Sequence, residues 1–111
     1  MTCAELCRAC GFEPAFPLPD PDREVRGGFC GDLLSWAMGR AGEGNVWCTV
    51  MGSVNTVAVA SLADTALVVL CHSAVLMDDA RRRAEERGIN VALTAQPEFD
   101  AAVAAAKQLG L

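Results

Sequence analysis

One segment of the chain, from Ala66 to Cys71, is apolar at every position. A short apolar run bounded by polar residues is typical of a β-strand that is buried on both faces of a parallel sheet. Along the rest of the chain, segments of strand character alternate with segments of helical character, and the links between them are short. This alternation favours a single three-layer α/β domain, with helices on both faces of a mostly parallel sheet and right-handed crossovers.

Hydrophobic periodicity and capping residues predict the individual elements. The predicted helices cover residues 2–10, 31–40, 54–62, 77–87 and 97–109, and the predicted strands cover residues 23–26, 46–50, 66–71 and 89–93. Within the third helix, Val57–Ala60 also has strand character. Residues 14–21 contain four prolines and predict an extended connector, because proline is excluded from helix interiors and central strands. We expect one domain over residues 1–111, with a helix and proline-rich lead-in at 1–22 and an α/β core at 23–111.

The net charge of the chain is −5, from 9 basic and 14 acidic residues. Nucleic acids and anionic membranes are bound through basic patches, so we expect neither as a partner. The N-terminus lacks a basic segment followed by an apolar run, and no apolar stretch is long enough to span a bilayer. We therefore expect no secretory signal, and the six cysteines predict reduced thiols in a cytoplasmic protein.

Three of the cysteines, Cys3, Cys7 and Cys10, follow the spacing C-x3-C-x2-C, which is also the spacing of the cluster motif in radical SAM enzymes. The same spacing places all three on one face of a helix, where cysteine packs as a small apolar residue. The chain is also much shorter than the barrel that radical SAM chemistry occupies. We favour packing and expect no metal and no cofactor, with an iron–sulfur cluster or another metal as the alternatives.

Two common catalytic motifs are missing from the sequence. Lys107 is the only lysine and no Walker A motif occurs, which excludes a P-loop kinase or ATPase. The nucleophile elbow of the α/β-hydrolases is missing as well. Cys71 and His72 are adjacent at the end of a predicted strand, where neighbouring side chains point to opposite faces, so we do not expect them to form a nucleophile–base pair. We expect no enzyme, with an unrecognised activity at Asp32 or His72 as the less favoured alternative.

Small or polar residues follow the predicted strands, and ligands in open α/β sheets bind beyond the carboxyl ends of the strands. Glycine-rich strand ends and helix N-termini offer backbone N–H groups to anions. Asp32 and Asn55 lie just inside the helices that follow the first two predicted strands, and their alternative role is to organise loops. His72 and Ser73 end the apolar strand, where His72 could instead bond a loop carbonyl. The residues that we expect to form one concave ligand site are Gly27, Gly28, Asp32, Gly52, Ser53, Asn55, His72 and Thr94.

Three blocks of the sequence resemble the DRTGG domain family. The first is Asp22–Gly28, which follows the family's naming motif with Arg26 where threonine is usual. The second is Gly31–Ser35, and the third runs from Trp47 through Thr49 to Asn55–Ala60. The order and spacing of the blocks extend the resemblance over nearly the whole chain. It implies a fold like the N-terminal domain of HPr kinase/phosphorylase, a bacterial enzyme whose kinase site lies in a separate P-loop domain that this chain lacks.

Related domains also lie between CBS repeats in regulated inorganic pyrophosphatases, where the assembly senses adenine nucleotides and dimerises. By this resemblance, we expect a non-catalytic regulatory module that forms a homodimer and binds a nucleotide or another anionic metabolite at its strand ends. The alternative is a structural adaptor or assembly subunit of a larger enzyme, with no small-molecule ligand.

Overall fold

A five-stranded sheet forms the centre of the molecule, and four of its strands are parallel. The computed structural model describes residues 1–111. The elements along the chain are α1 (Cys3–Cys10), β1 (Glu13–Pro14), β2 (Gly27–Cys30), α2 (Leu34–Arg40), β3 (Asn45–Thr49), α3 (Val54–Ala63), β4 (Leu67–Leu70), α4 (Asp78–Arg87), β5 (Val91–Leu93) and α5 (Glu98–Leu109). The strand order is β1-β5-β4-β3-β2, and only β1 runs antiparallel to its neighbour.

Helices cover both faces of this sheet, which confirms the expected three-layer α/β fold. Leu67 and Val69 of β4 pack with residues of α1 and α5, whereas Val68 and Leu70 pack with residues of α2, α3 and α4. All four β4 side chains are buried, as the uninterrupted apolar run predicts. No helix is both long and apolar enough to cross a membrane.

Local signals fix the ends of most helices. At α1, the side chain of Thr2 accepts from the Glu5 N–H at 3.1 Å and the Glu5 carboxylate accepts from the Thr2 N–H at 2.9 Å. This capping box satisfies two backbone donors that the first turn leaves free. Gly11 ends the helix with φ 71°, a left-handed conformation that costs glycine little.

The cysteines of α1 lie in the core, as the packing interpretation expects. Cys3 and Cys7 are buried, Cys10 is half-buried, and the Cys3 thiol donates to the Ala66 carbonyl at 3.2 Å. Burial raises the pKa of both Cys3 and Cys7 to about 11. Both thiols therefore stay protonated at neutral pH and pack as small apolar groups.

The first predicted strand is wrong in position. Residues 23–26 are not a sheet strand, because residues 23–25 pair with the N-terminus instead: the Cys3 N–H donates to the Arg23 carbonyl at 2.9 Å, and the Val25 N–H donates to the Met1 carbonyl at 2.9 Å. The strand begins only at Gly27 and ends at Cys30. The helix that follows begins correspondingly later, at Leu34 rather than at residue 31.

The proline-rich connector also contributes to the sheet. Glu13 and Pro14 form β1, which pairs with Leu93 and Ala92 of β5. Proline is tolerated there because β1 is an edge strand with one side free of ladder bonds. The far end of the connector is held by Asn90, whose amide donates to the Asp20 carbonyl at 2.7 Å and to the Ala66 carbonyl at 3.1 Å, and accepts from the Asp20 N–H at 3.0 Å.

We expect Asn90→Ala to destabilise the domain by about 2 kcal/mol, because it removes three hydrogen bonds and leaves the buried Ala66 carbonyl with one partner fewer. Urea unfolding measures this difference. Asn55→Ala is the control, since Asn55 is exposed and makes no side-chain hydrogen bond, and it should change the unfolding free energy by less than about 0.5 kcal/mol. Equal effects of the two substitutions would contradict the assignment of Asn90 as the anchor of the connector.

Candidate functional site

The four parallel strands end on the same side of the molecule, here called the carboxyl end of the sheet. Across this end, the residues that follow the strands are Thr94 after β5, His72 and Ser73 after β4, Gly52 and Ser53 after β3, and Asp32 after β2. Parallel pairing brings these residues to one side, as the sequence predicts. Their individual surroundings differ.

Two predicted site residues, Gly27 and Gly28, lie on the opposite side. They begin β2 rather than end it, and they pair with Asn45 and Val46 at the start of β3. The prediction that they join the carboxyl-end site is therefore wrong. Its physical cause is the shifted strand, since residues 23–25 pair with the N-terminus instead of the sheet.

The end of β4 turns sharply towards β5. His72 and Ser73 both adopt left-handed backbone conformations, with φ 58° and 59°, which is uncommon for residues other than glycine. Their N–H groups donate to the carbonyls of Gln96 at 2.9 Å and Thr94 at 3.0 Å, and these bonds stabilise the strained turn. Ser73 and Thr94 are thereby held side by side at the carboxyl end.

A cavity of about 450 Å³ opens beside this turn, between β1, β5 and the start of α4. Ser73, Thr94 and Arg81 contribute polar groups to its wall, and Glu13 and Asp78 contribute carboxylates. The Ser73 hydroxyl has no hydrogen-bond partner within the chain. The Thr94 hydroxyl accepts from the Gln96 N–H at 3.2 Å. We call this space the carboxyl-end cavity.

Arg81 is the cation of the carboxyl-end cavity, and the sequence interpretation missed it within the charged stretch of α4. Its guanidinium pairs with Glu85 at 3.0 Å and lies 5.7 Å from the centre of the Phe16 ring. The spacing of Arg81 and Glu85 signals only a solvated helix face. Its place in the cavity depends on the packing of α4 beside the β4–α4 loop, which the local sequence does not reveal.

Gly52, Ser53 and Asn55 organise the β3–α3 turn. A Cβ on Gly52 would overlap the Val75 carbonyl, because the β4–α4 loop crosses directly over this residue, and the Met77 N–H donates to the Gly52 carbonyl at 2.9 Å. The Ser53 side chain caps α3 by accepting from the Thr56 N–H at 3.4 Å. Asn55 points to solvent and lies outside the carboxyl-end cavity.

We expect Gly52→Ala to destabilise the domain by about 1–3 kcal/mol, because the added methyl group must displace the backbone of the β4–α4 loop. Gly39→Ala is the matched control. Gly39 lies near the end of α2 with open space around it, so alanine there should stabilise by about 0.5 kcal/mol. Thermal unfolding of both variants measures the contrast, and a Gly52→Ala variant as stable as the wild type would refute the close approach.

A separate polar cluster lies around Glu98 at the start of α5. The Glu98 N–H donates to Nε2 of His72 at 3.4 Å, and its carboxylate Oε2 lies 3.9 Å from the Cys30 thiol. Burial raises the pKa of Glu98, and the carboxylate of Asp32 raises it further. Asp32 precedes α2 by two residues instead of lying inside it. Asp32 and His72 are thus brought together around Glu98, away from the carboxyl-end cavity.

The raised pKa of Glu98 predicts a pH-dependent stability. Folded protein holds this proton more tightly than unfolded protein, so the wild type loses stability as the pH rises above the usual value of 4.5. Glu98→Gln does not titrate, so its melting temperature should rise relative to the wild type as the pH increases above the usual Glu pKa of 4.5. The gain should shrink in an Asp32→Asn background. A difference in melting temperature between the wild type and Glu98→Gln that does not change with pH would contradict the raised pKa of Glu98.

Comparison with known proteins supports the fold. No protein-family model and no curated protein sequence matches the chain significantly. The structure is similar to the CBS and DRTGG domains of the regulatory region of Clostridium perfringens pyrophosphatase, solved in complex with its activator diadenosine tetraphosphate, with a TM-score of 0.73. The sequence identity is 10%, and the match covers 94% of this chain and 45% of that chain. The likeness supports a DRTGG-like fold, and this chain spans less than half of that regulatory region.

Proposed function

We propose that this chain is a non-catalytic regulatory domain that binds an anionic metabolite of the nucleotide class. The observation that carries the proposal is the carboxyl-end cavity, in which Arg81, Ser73 and Thr94 meet beyond the ends of β4 and β5. Its volume of about 450 Å³ lies within the range of small-molecule sites. The structural neighbour is a regulatory region solved with a nucleotide activator, which supports the same class of function.

The chemistry of the cavity wall favours a ligand with both anionic and donor groups. The Arg81 guanidinium suits a phosphate, and the free Ser73 hydroxyl can donate to a phosphate oxygen. The carboxylates of Glu13 and Asp78 suit hydroxyl or amino donors, which a nucleoside provides and inorganic phosphate does not. Arg81 must exchange its pair with Glu85 for the ligand, at small cost because both side chains are about half exposed.

The absence of catalysis is part of the same proposal. His72, the only histidine, accepts from the Glu98 N–H through Nε2 and does not line the carboxyl-end cavity, so we expect it not to act as a base for Ser73 there. We also propose that the domain is a homodimer, because the β2 side of the sheet is uncovered and its strand carries neither proline nor a charged residue.

Ligand-induced thermal stabilisation tests the proposed binding. The probes are ATP, AMP, diadenosine tetraphosphate and inorganic phosphate. A nucleotide present at a hundred times its dissociation constant should add about 2.7 kcal/mol of stability. Arg81→Met should abolish the shift while keeping most of the side-chain stem. Arg82→Met is the control, because Arg82 is exposed and lies outside the cavity, and this variant should keep the full ligand-induced shift in melting temperature.

Two outcomes would refute the binding proposal. The first is that none of the nucleotides shifts the melting temperature of the wild type. The second is that Arg81→Met and Arg82→Met respond alike, which would place any binding outside the carboxyl-end cavity. A shift with phosphate equal to that with the nucleotides would refute the nucleotide class and leave a simple anion site.

A further inference from the structure

The outer side of β2 offers unpaired backbone groups. β2 has a neighbour, β3, on one side only. The Gly31 N–H, directly after the strand, donates to the Cys48 carbonyl at 3.1 Å. Alternate residues of a strand direct their backbone groups to the same side, so Gly28 and Cys30 direct theirs away from β3. Both residues are exposed.

The two edges of the sheet differ in their protection. β1 has only two residues, one acidic and one proline, and both features hinder pairing with another chain. β2 has four residues, Gly27 to Cys30, with neither a charge nor a proline. An unprotected edge strand is a template for pairing, so β2 is the edge that is open to a partner.

An apolar cavity of about 200 Å³ lies beside β2, under α5. Gly28 and Cys30 line it from the strand, and Ala102, Ala106 and Leu109 line it from the helix. Most of the α5 side chains that line it are alanines, which leave this space unfilled beside the β2 edge. A partner strand on β2 would close the cavity with its own side chains.

Charges at the two ends of β2 favour a second copy of the chain as the partner. Arg26 precedes the strand, Asp32 follows it, and neither makes an ion pair within the chain. A second β2 placed antiparallel across a two-fold axis brings Arg26 of each copy near Asp32 of the other. In such a two-fold interface, Arg26 and Asp32 of each copy form two equivalent ion pairs with the same residues of the other copy.

The outward groups of β2 select one register for this pairing. In an antiparallel ladder, directly opposed residues that both face the partner exchange two hydrogen bonds. Gly28 opposite Cys30 of the second copy, and Cys30 opposite its Gly28, provide two such pairs. The axis then passes at Phe29, and the opposed Phe29 side chains meet on the α2 side of the sheet, where aromatic cross-strand pairs are favourable.

We propose that two copies of this domain join through antiparallel pairing of their β2 strands, centred on Phe29, into one continuous ten-stranded sheet. Each copy places its Cys30 side chain opposite Gly28 of the other, at the mouth of the apolar cavity. The inference rests on the proposed homodimer and is independent of the proposed ligand. It adds the interface, the register and the residues that select them.

An engineered cross-link tests the register. Opposed residues that exchange hydrogen bonds have Cα atoms about 5.5 Å apart, a distance that a disulfide can bridge. A Cβ at position 28 would meet Val46 only at ordinary contact distance, so Gly28→Cys should fold. Incubated with oxidised glutathione, this variant should give a covalent dimer in which residue 28 of one copy is joined to residue 30 of the other. Peptide mapping identifies the linked residues.

Two control variants distinguish a disulfide between residues 28 and 30 from disulfides between other cysteines. Gly28→Ser and the double variant Gly28→Cys, Cys30→Ser should both remain without a covalent dimer. A charge exchange supplies a second test that does not depend on a thiol. Arg26→Asp or Asp32→Arg alone should weaken the dimer at least tenfold at low salt, and the two together should restore it.

Sedimentation of the wild type makes the outcomes distinct. A dimer that is cross-linked at positions 28 and 30 and responds to the charge exchange supports the interface. A wild-type dimer without this cross-link, or with the charge variants unaffected, overturns the β2 interface but leaves the homodimer and the ligand site standing. If the wild type sediments as a monomer even at 100 times the protein concentration of the thermal-stabilisation assays, both the homodimer and the β2 interface are overturned. The ligand-site proposal is unaffected by that result.

Discussion

Burial of β4 on both faces is the constraint on which the rest of the structure depends. Leu67 and Val69 need a cover on one face, and Val68 and Leu70 need one on the other. Two helical layers supply it. The helices α2, α3 and α4, which connect the four parallel strands, form one layer, and α1 and α5 form the other. The four parallel strands therefore end on the same side of the sheet, and the loops that follow β4 and β5 line the carboxyl-end cavity there.

The short sheet also leaves two edges, and the chain treats them differently. The β1 edge carries a carboxylate and a proline. The β2 edge carries glycines, an aromatic ring and a thiol beside an apolar cavity. This difference separates two kinds of surface on one small domain. The carboxyl end is where we propose a small anionic ligand, and the β2 edge is where we propose a second copy of the chain.

The sequence predicts those parts of the fold that local chemistry decides. The capping box at Thr2 and the glycine at Gly88 place the ends of α1 and α4 within a residue. β2 was misplaced because residues 23–25 pair with the N-terminus, a contact between segments far apart in sequence. β1 has two residues, too few for any periodicity.

The candidate site also contains residues that the sequence predicts and residues whose place depends on tertiary packing. The meeting of Ser73 with Thr94 follows from parallel topology, and the sequence places both at strand ends. Gly52 satisfies the same expectation but is covered by the Val75 backbone, since the path of the β4–α4 loop is set by tertiary packing. Arg81 was missed for the converse reason, because its helix spacing indicates only a surface ion pair.

We propose that the anion site lies between the ends of β4 and β5. Amide chemical-shift mapping on ¹⁵N-labelled protein, titrated with ATP, is the direct test of this location. We expect saturable shifts centred on Ser73, Arg81 and Thr94, with the β3–α3 turn and the Glu98 cluster changed little. Shifts centred on that turn or on Glu98, or no saturable shifts at all, would contradict it.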